Sequence, residues 1–361
     1  MQTSILTEMR ELRHYEQAEP DLTTPTVNDL KHLSPTTSFR GRERWIDIAK
    51  GVAILLMVFG HIWGGLMTSK VLELSAFNQG LYTWIYTFHM PAFVFMAGLF
   101  LGKSVERGLW KFALNRLSTL YYPAVLWGLI TWAAMWQFRA YINSDPGRRP
   151  VWNLFYHPDS SYGFLLILLE LSLLWALART LRTPAWVLPW VAAGLLACGL
   201  WTDAGIIIDF GAYGLWLSSA AALQLRVLGA AKLSGAWLAS IATAGFAVVT
   251  AGTLFMPIDS TAGHLACTPA GIAMLLAFAV LLDRTPIAAV LARCGTCSLE
   301  IYLMHSLIWV ACRIVLLRFL HVSQPVILVP VLVLCGTAGS IAAARLAEHL
   351  NMPWAFRFRQ Q

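Results

Sequence analysis

Asp47, Lys50 and His61 are placed so that a single helix would carry all three along one stripe. Lys50 and His61 are eleven residues apart. At ~100° and ~1.5 Å per residue, that step returns to within ~20° of the same face, ~16 Å further along. Asp47 falls ~40° from His61 on the same count. The stripe therefore offers an acid, an amine and an imidazole to a ligand lying along the helix. An imidazole can take a proton from a hydroxyl at neutral pH, and an ammonium can hold a phosphate. A second reading stands beside this one: charges opening a membrane helix anchor it to a surface, and a histidine at its far end can be interfacial. Position alone leaves both open.

Other ionisable residues fall inside apolar stretches. Glu170, Asp209, Glu300 and His305 are too costly in hydrocarbon to be filler, and are expected to face a cavity or one another. Glu300 and His305 would share one helix on neighbouring faces, where either could orient His61 or bind a hydroxyl. For His305, a hydrogen bond to backbone or to a serine across helices is the alternative. The chain has no Gly-x-Ser-x-Gly elbow and no apparent Cys-His pair, which favours direct transfer with a histidine base over an acyl-enzyme. Cys294 and Cys297 form a C-x-x-C with no second pair, so no metal is expected and the six cysteines read as core residues.

The elements that must position these groups are membrane helices. Of 361 residues, 58% are hydrophobic and 12% charged, with a mean hydropathy of +0.62. Soluble domains carry roughly twice that charged fraction. Apolar stretches near 48–66, 82–102, 117–137, 162–178, 185–201, 205–225, 235–256, 266–282, 296–317 and 325–345 predict an all-α, polytopic protein of about ten transmembrane helices. Sixteen Trp and ten Tyr suit interfacial belts. Most Lys and Arg fall at every second exit, which puts both termini in the cytoplasm and explains the net charge of +7 without nucleic acid. Residues 1–40, acidic and proline-bearing, read as a disordered cytoplasmic tail, 41–350 as the transmembrane domain and 351–361 as a short cytoplasmic tail. The loop at about 138–161, with Asn143, Asp145 and Pro146, reads either as a rim over a pocket or as a connector. His89 and Pro91 predict a helix break packed near the first helix, with Gly98 allowing close approach.

Three motifs point to one family: R-W-I-D-I-A-K-G-V-A-I-L-L-M-V-F-G-H from Arg44 to His61, F-H-M-P-A-F-V-F-M-A-G-L-F-L from Phe88 to Leu101, and C-S-L-E-I-Y-L-M-H-S from Cys297 to Ser306. Together they resemble the acyltransferase-3 family of integral membrane acyltransferases, particularly its fucose O-acetylase-like branch. The resemblance implies a ten-helix enzyme of a bacterial-type inner membrane. Such an enzyme takes an acetyl or other acyl group from cytoplasmic acetyl-coenzyme A and places it on a hydroxyl of a sugar or cell-surface glycan. By that resemblance His61 is the catalytic base; Asp47 on its stripe, and Glu300 and His305 on the helix of the third motif, complete the candidate catalytic set on position alone. Lys50 stands where the family commonly has arginine, keeping the charge but not the bidentate fork. Lys50, Arg44, Arg116, Lys103 and Arg107 are the expected contacts for the donor phosphates. A transporter or flippase for a sugar derivative is the rival reading, since intramembrane acids suit it too. That class usually shows matching broken helices in two halves, and none can be matched here.

Overall fold

The computed structural model describes residues 43–139, 151–156, 162–257 and 260–356. The sequence expectations for the tail 1–40, for Asn143, Asp145 and Pro146, and for the last five residues lie outside them. Every regular element among the described residues is helical.

The central element is α1, Arg44–Thr68, an uninterrupted α-helix of 25 residues. Its run of Gly, Ala, Val, Ile, Leu, Met and Phe between Lys50 and His61 leaves no polar face, so the helix needs apolar surroundings on every side. Ile48, Ile54, Met57, Val58, Ile62 and Leu66 are fully or almost fully buried, and they form the middle of the core.

The expected second span is not one helix. It comprises α2 (Ala76–Tyr86), α3 (His89–Gly98) and α4 (Leu101–Val105). The break lies at Thr87 and Phe88, and His89 Nδ1 bridges it by donating to the Ile85 carbonyl at 2.7 Å. Pro91 sits in the first turn of α3, where its missing N–H costs nothing. The break packs on α1 as the motif predicts, but Gly98 serves another neighbour. A Cβ there would strike the Leu217 carbonyl and Ala220, so its close approach is to the later helix Gly205–Ala230.

α5 (Leu109–Arg116) runs through a π-helical stretch, Leu117–Tyr121, into α6 (Tyr122–Gln137). Pro123, which cannot continue the i to i−4 ladder, follows that widened turn. After the short 3₁₀ segment Val151–Phe155 come α7 (Gly163–Thr180), α8 (Leu188–Thr202), α9 (Gly205–Ala230), α10 (Gly235–Phe255), α11 (Thr261–Leu282), α12 (Ala288–Thr296) and α13 (Ser298–Ile314). A π-helical stretch, Val315–Phe319, prolongs α13. The last helical unit is α14 (Pro325–Leu334), a π-helical stretch Cys335–Gly339 and α15 (Ser340–His349).

Seven of these helical units are long and apolar enough to cross a membrane: those starting at Arg44, Gly163, Gly205, Gly235, Thr261, Ser298 and Pro325. The protein is therefore a polytopic membrane protein. The other three stretches expected to span correspond to the broken set α2 to α4, the helix through α6, and the shorter α8. Large apolar side chains such as Trp190, Leu225, Phe246 and Leu254 are exposed on the outside of the bundle, where lipid would cover them.

Candidate active site

The site is built where α1 meets α12 and α13. α12 crosses the start of α1 at two glycines. A Cβ on Gly51 would collide with the Leu291 carbonyl, and one on Gly295 with the Asp47 carbonyl, so the two backbones touch directly. One residue, Cys297, then separates α12 from α13. The glycine seam thus sets where α13 begins relative to α1.

Further along α1, small residues flank His61. A Cβ on Gly60 would come 2.9 Å from the Tyr86 ring, and one on Gly65 would come 2.5 Å from Trp309. Tyr86 lies parallel to the His61 ring, with an interplanar angle of 9° and centroids 6.3 Å apart. Trp309 belongs to α13, so the two glycines let an aromatic from α2 and one from α13 approach α1 closely on either side of the half-buried His61 in sequence.

The deciding contact is between two imidazoles. His61 Nδ1 is 3.2 Å from His305 Nε2, and His305 is completely buried. His305 Nδ1 lies 2.8 Å from the Tyr302 carbonyl and 3.1 Å from that of Ile301. Carbonyls only accept, so Nδ1 carries the proton and the neutral ring presents a lone pair at Nε2. Two facing lone pairs would repel, so His61 Nδ1–H donates to His305 Nε2. The Nε2 lone pair of His61 is then free to take a proton. Ser306 Oγ lies 3.1 Å from the same His305 nitrogen and offers it an O–H as a second donor.

A third helix steadies α13. Tyr162 O–H donates to the Leu303 carbonyl at 2.8 Å, and Thr131 Oγ1, 2.8 Å away, donates in turn to the tyrosine oxygen. Leu303 is two residues before His305, so the start of α7 and the middle of α6 are tied to the helix that orients the pair.

The other expected residues are spread more widely. Asp47 is buried at the opposite end of α1, fourteen residues or ~21 Å of rise from His61, so the structure does not bring the two together. Lys50 is half-buried on the His61 stripe and Glu300 is half-buried in the first turn of α13. Arg44 pairs with Asp283 through both its carboxylate and its backbone carbonyl, tying α1 to the end of α11. Arg116 is half-buried over the Phe112 ring, and burial pushes its guanidinium below the usual arginine range. Lys103 and Arg107 are exposed in and beside α4. Glu170 and Asp209, expected to face a cavity or one another, are instead exposed on α7 and α9. Among the described residues, no three His, Cys, Asp or Glu gather as metal ligands.

The profile of one protein family, described as an acyltransferase domain, matches residues 43–345, well over half of the chain. The chain belongs to the acyltransferase-3 family. No curated protein and no solved structure matches it. The acyltransferase is thus a membrane enzyme that moves an acyl group, and its matched region contains α1, the broken second span and the His305 helix.

Beside the histidine pair the acyltransferase has a cavity of about 660 Å³, lined by Gly65 and Thr68 of α1, Thr131 of α6, and Ser306, Trp309 and Arg313 of α13. Neither Ser306 as a partner of His305 nor Arg313 stands out from residue spacing alone. The available signal is the i, i+3, i+7 face made by Ser306, Trp309 and Arg313.

Proposed function

We propose that this acyltransferase moves an acetyl group from acetyl-coenzyme A to a hydroxyl of a sugar or glycan, with His61 as general base. The reading rests on the His61–His305 contact, which leaves the Nε2 lone pair of His61 to take a proton, beside a 660 Å³ cavity whose lining residue Ser306 touches His305. The acceptor O–H gives its proton to His61 Nε2 while its oxygen attacks the thioester carbonyl. The carbon–sulfur bond breaks, and the imidazolium returns the proton to the leaving thiolate. Its positive charge is stabilised through Nδ1–H and the His305 lone pair, a role more often given to a carboxylate.

The donor enters from the cytoplasm in this reading. Coenzyme A phosphates are too strongly hydrated for hydrocarbon, so they stay near Lys50, Arg116, Lys103 and Arg107, while the pantetheine arm follows the ~16 Å of α1 to His61. A sugar acceptor is what the resemblance to the fucose O-acetylase-like branch implies, and an inner-membrane location goes with it. Purified His61→Ala should remain folded and lose roughly 10²- to 10⁴-fold in acetyl transfer to glycan acceptors, followed by mass spectrometry. Transfer at the wild-type rate would end the assignment.

A further inference from the structure

Arg313 is 6% exposed, lines the cavity beside the histidine pair, and pairs with no carboxylate among the described residues. A cation held that deep is costly unless an anion or strong dipoles face it. Protein supplies part of the answer: the guanidinium carbon lies 5.3 Å from the centre of the Trp309 ring. That contact does not use the fork of N–H donors that distinguishes arginine.

The placement of that fork is specific. Ser306 and Arg313 are seven residues apart, so they share a face within ~20° and ~10 Å along the axis. Long side chains on a helix lean toward its N-terminus, and stacking on Trp309, one turn earlier, shows Arg313 doing so. The guanidinium therefore leans back toward Ser306, which touches His305. Thr68 and Thr131 line the same space, and each hydroxyl already bonded to protein keeps a lone pair that can accept from a sugar O–H.

We propose that the acceptor is an anionic sugar, carrying a carboxylate or phosphate that pairs with Arg313 while one of its hydroxyls faces His61. This rests on the acyl-transfer reading only for the role of His61; the anion site itself stands on the cavity and Arg313. A planar guanidinium matches either anion bidentately, and burial strengthens the pairing.

The test measures binding and requires no turnover. Methyl β-glucuronoside, glucose 6-phosphate and methyl β-glucoside are titrated into the purified full chain, into Arg313→Gln and into Arg313→Lys, with saturation-transfer NMR as the readout. At least one acid should bind the wild type tenfold or more tightly than the glucoside. Arg313→Gln should lose that preference, Arg313→Lys should keep part of it, and glucoside binding should be unchanged in both, which also reports that the cavity is intact. Binding of the uronate alone identifies a sugar acid, and of the phosphate alone a sugar phosphate. The proposal is overturned if neither acid outbinds the glucoside, or if Arg313→Gln holds the acids as the wild type does. A protein that binds acids through Arg313 but transfers no acyl group would defeat the catalytic reading and leave this one standing.

Discussion

His61 and His305 stand 244 residues apart in the chain and within 3.2 Å of each other in the fold. A hydrogen bond between rings on two different helices survives only if those helices are docked to within a fraction of an ångström. The glycine seam between α1 and α12 and the Tyr162 tie to Leu303 provide that docking at either end of the pair.

His305 acts on the reaction through His61, so its loss should be smaller than the loss of the base itself. His305→Ala is expected to lower acyl transfer roughly 10- to 100-fold, the worth of a hydrogen bond to a charged group at about 1.5–3 kcal/mol. His305→Gln offers a carbonyl oxygen near the position of Nε2 and should restore part of the rate. Equal loss in both variants, by initial rates on matched amounts of folded protein, would show that packing and not hydrogen bonding is what His305 supplies.

Donor binding should separate from chemistry. Lys50→Ala and Arg116→Ala are each expected to weaken acetyl-coenzyme A binding by about 1.5–3 kcal/mol, with a strong salt dependence, whereas His61→Ala should leave it nearly intact. Calorimetric titration decides this: unchanged affinity in both charge variants rules out a donor site at that end of α1.

The glycine seam has a stability consequence. Gly295→Ala places a methyl group against the Asp47 backbone, which cannot retreat, and should cost about 1–3 kcal/mol. Gly194→Ala on α8 meets nothing within 4 Å and should be neutral, or stabilising by up to ~1 kcal/mol. Thermal unfolding in detergent compares the two, and a Gly295→Ala midpoint equal to that of Gly194→Ala would contradict the direct backbone contact.

Orientation can be read by labelling. A cysteine placed at Asn143 should react with an impermeant maleimide added outside intact cells, and one placed at Gly229 should react only after the membrane is opened. Outside labelling at Gly229 would reverse the proposed topology and the side from which the donor enters.

The sequence made α1 legible because its chemistry is local: a long apolar run with charges at one end and a histidine at the other has few alternative structures. Pro91 likewise marked the broken second span. What escaped was set by tertiary contact. His305 lay in a recognisable motif, yet nothing in that stretch says that its Nε2 faces His61 while two carbonyls hold its Nδ1. Gly98 announced a close approach, expected beside the first helix, whereas the helix it meets is α9. Arg313 was hidden because a lone arginine near a helix end looks like an anchor until Ser306, Trp309 and the cavity are seen on its face. Glu170 and Asp209 were misplaced for the opposite reason. Cost in hydrocarbon constrains where a charge is tolerated, but not which side of a helix it takes.

The three π-helical stretches have a bearing on how this chain tolerates insertions and deletions. Each widened turn holds about one residue more than α geometry needs. A deletion inside Leu117–Tyr121, Val315–Phe319 or Cys335–Gly339 can therefore be absorbed by tightening into ordinary helix. α1 has no such slack. Removing any one residue between Lys50 and His61 would turn everything beyond it by ~100° and draw it back ~1.5 Å, carrying the imidazole off His305. Apart from Gly51 and Gly60, side chains within that step can drift among apolar types of similar size, whereas its length cannot change by even one.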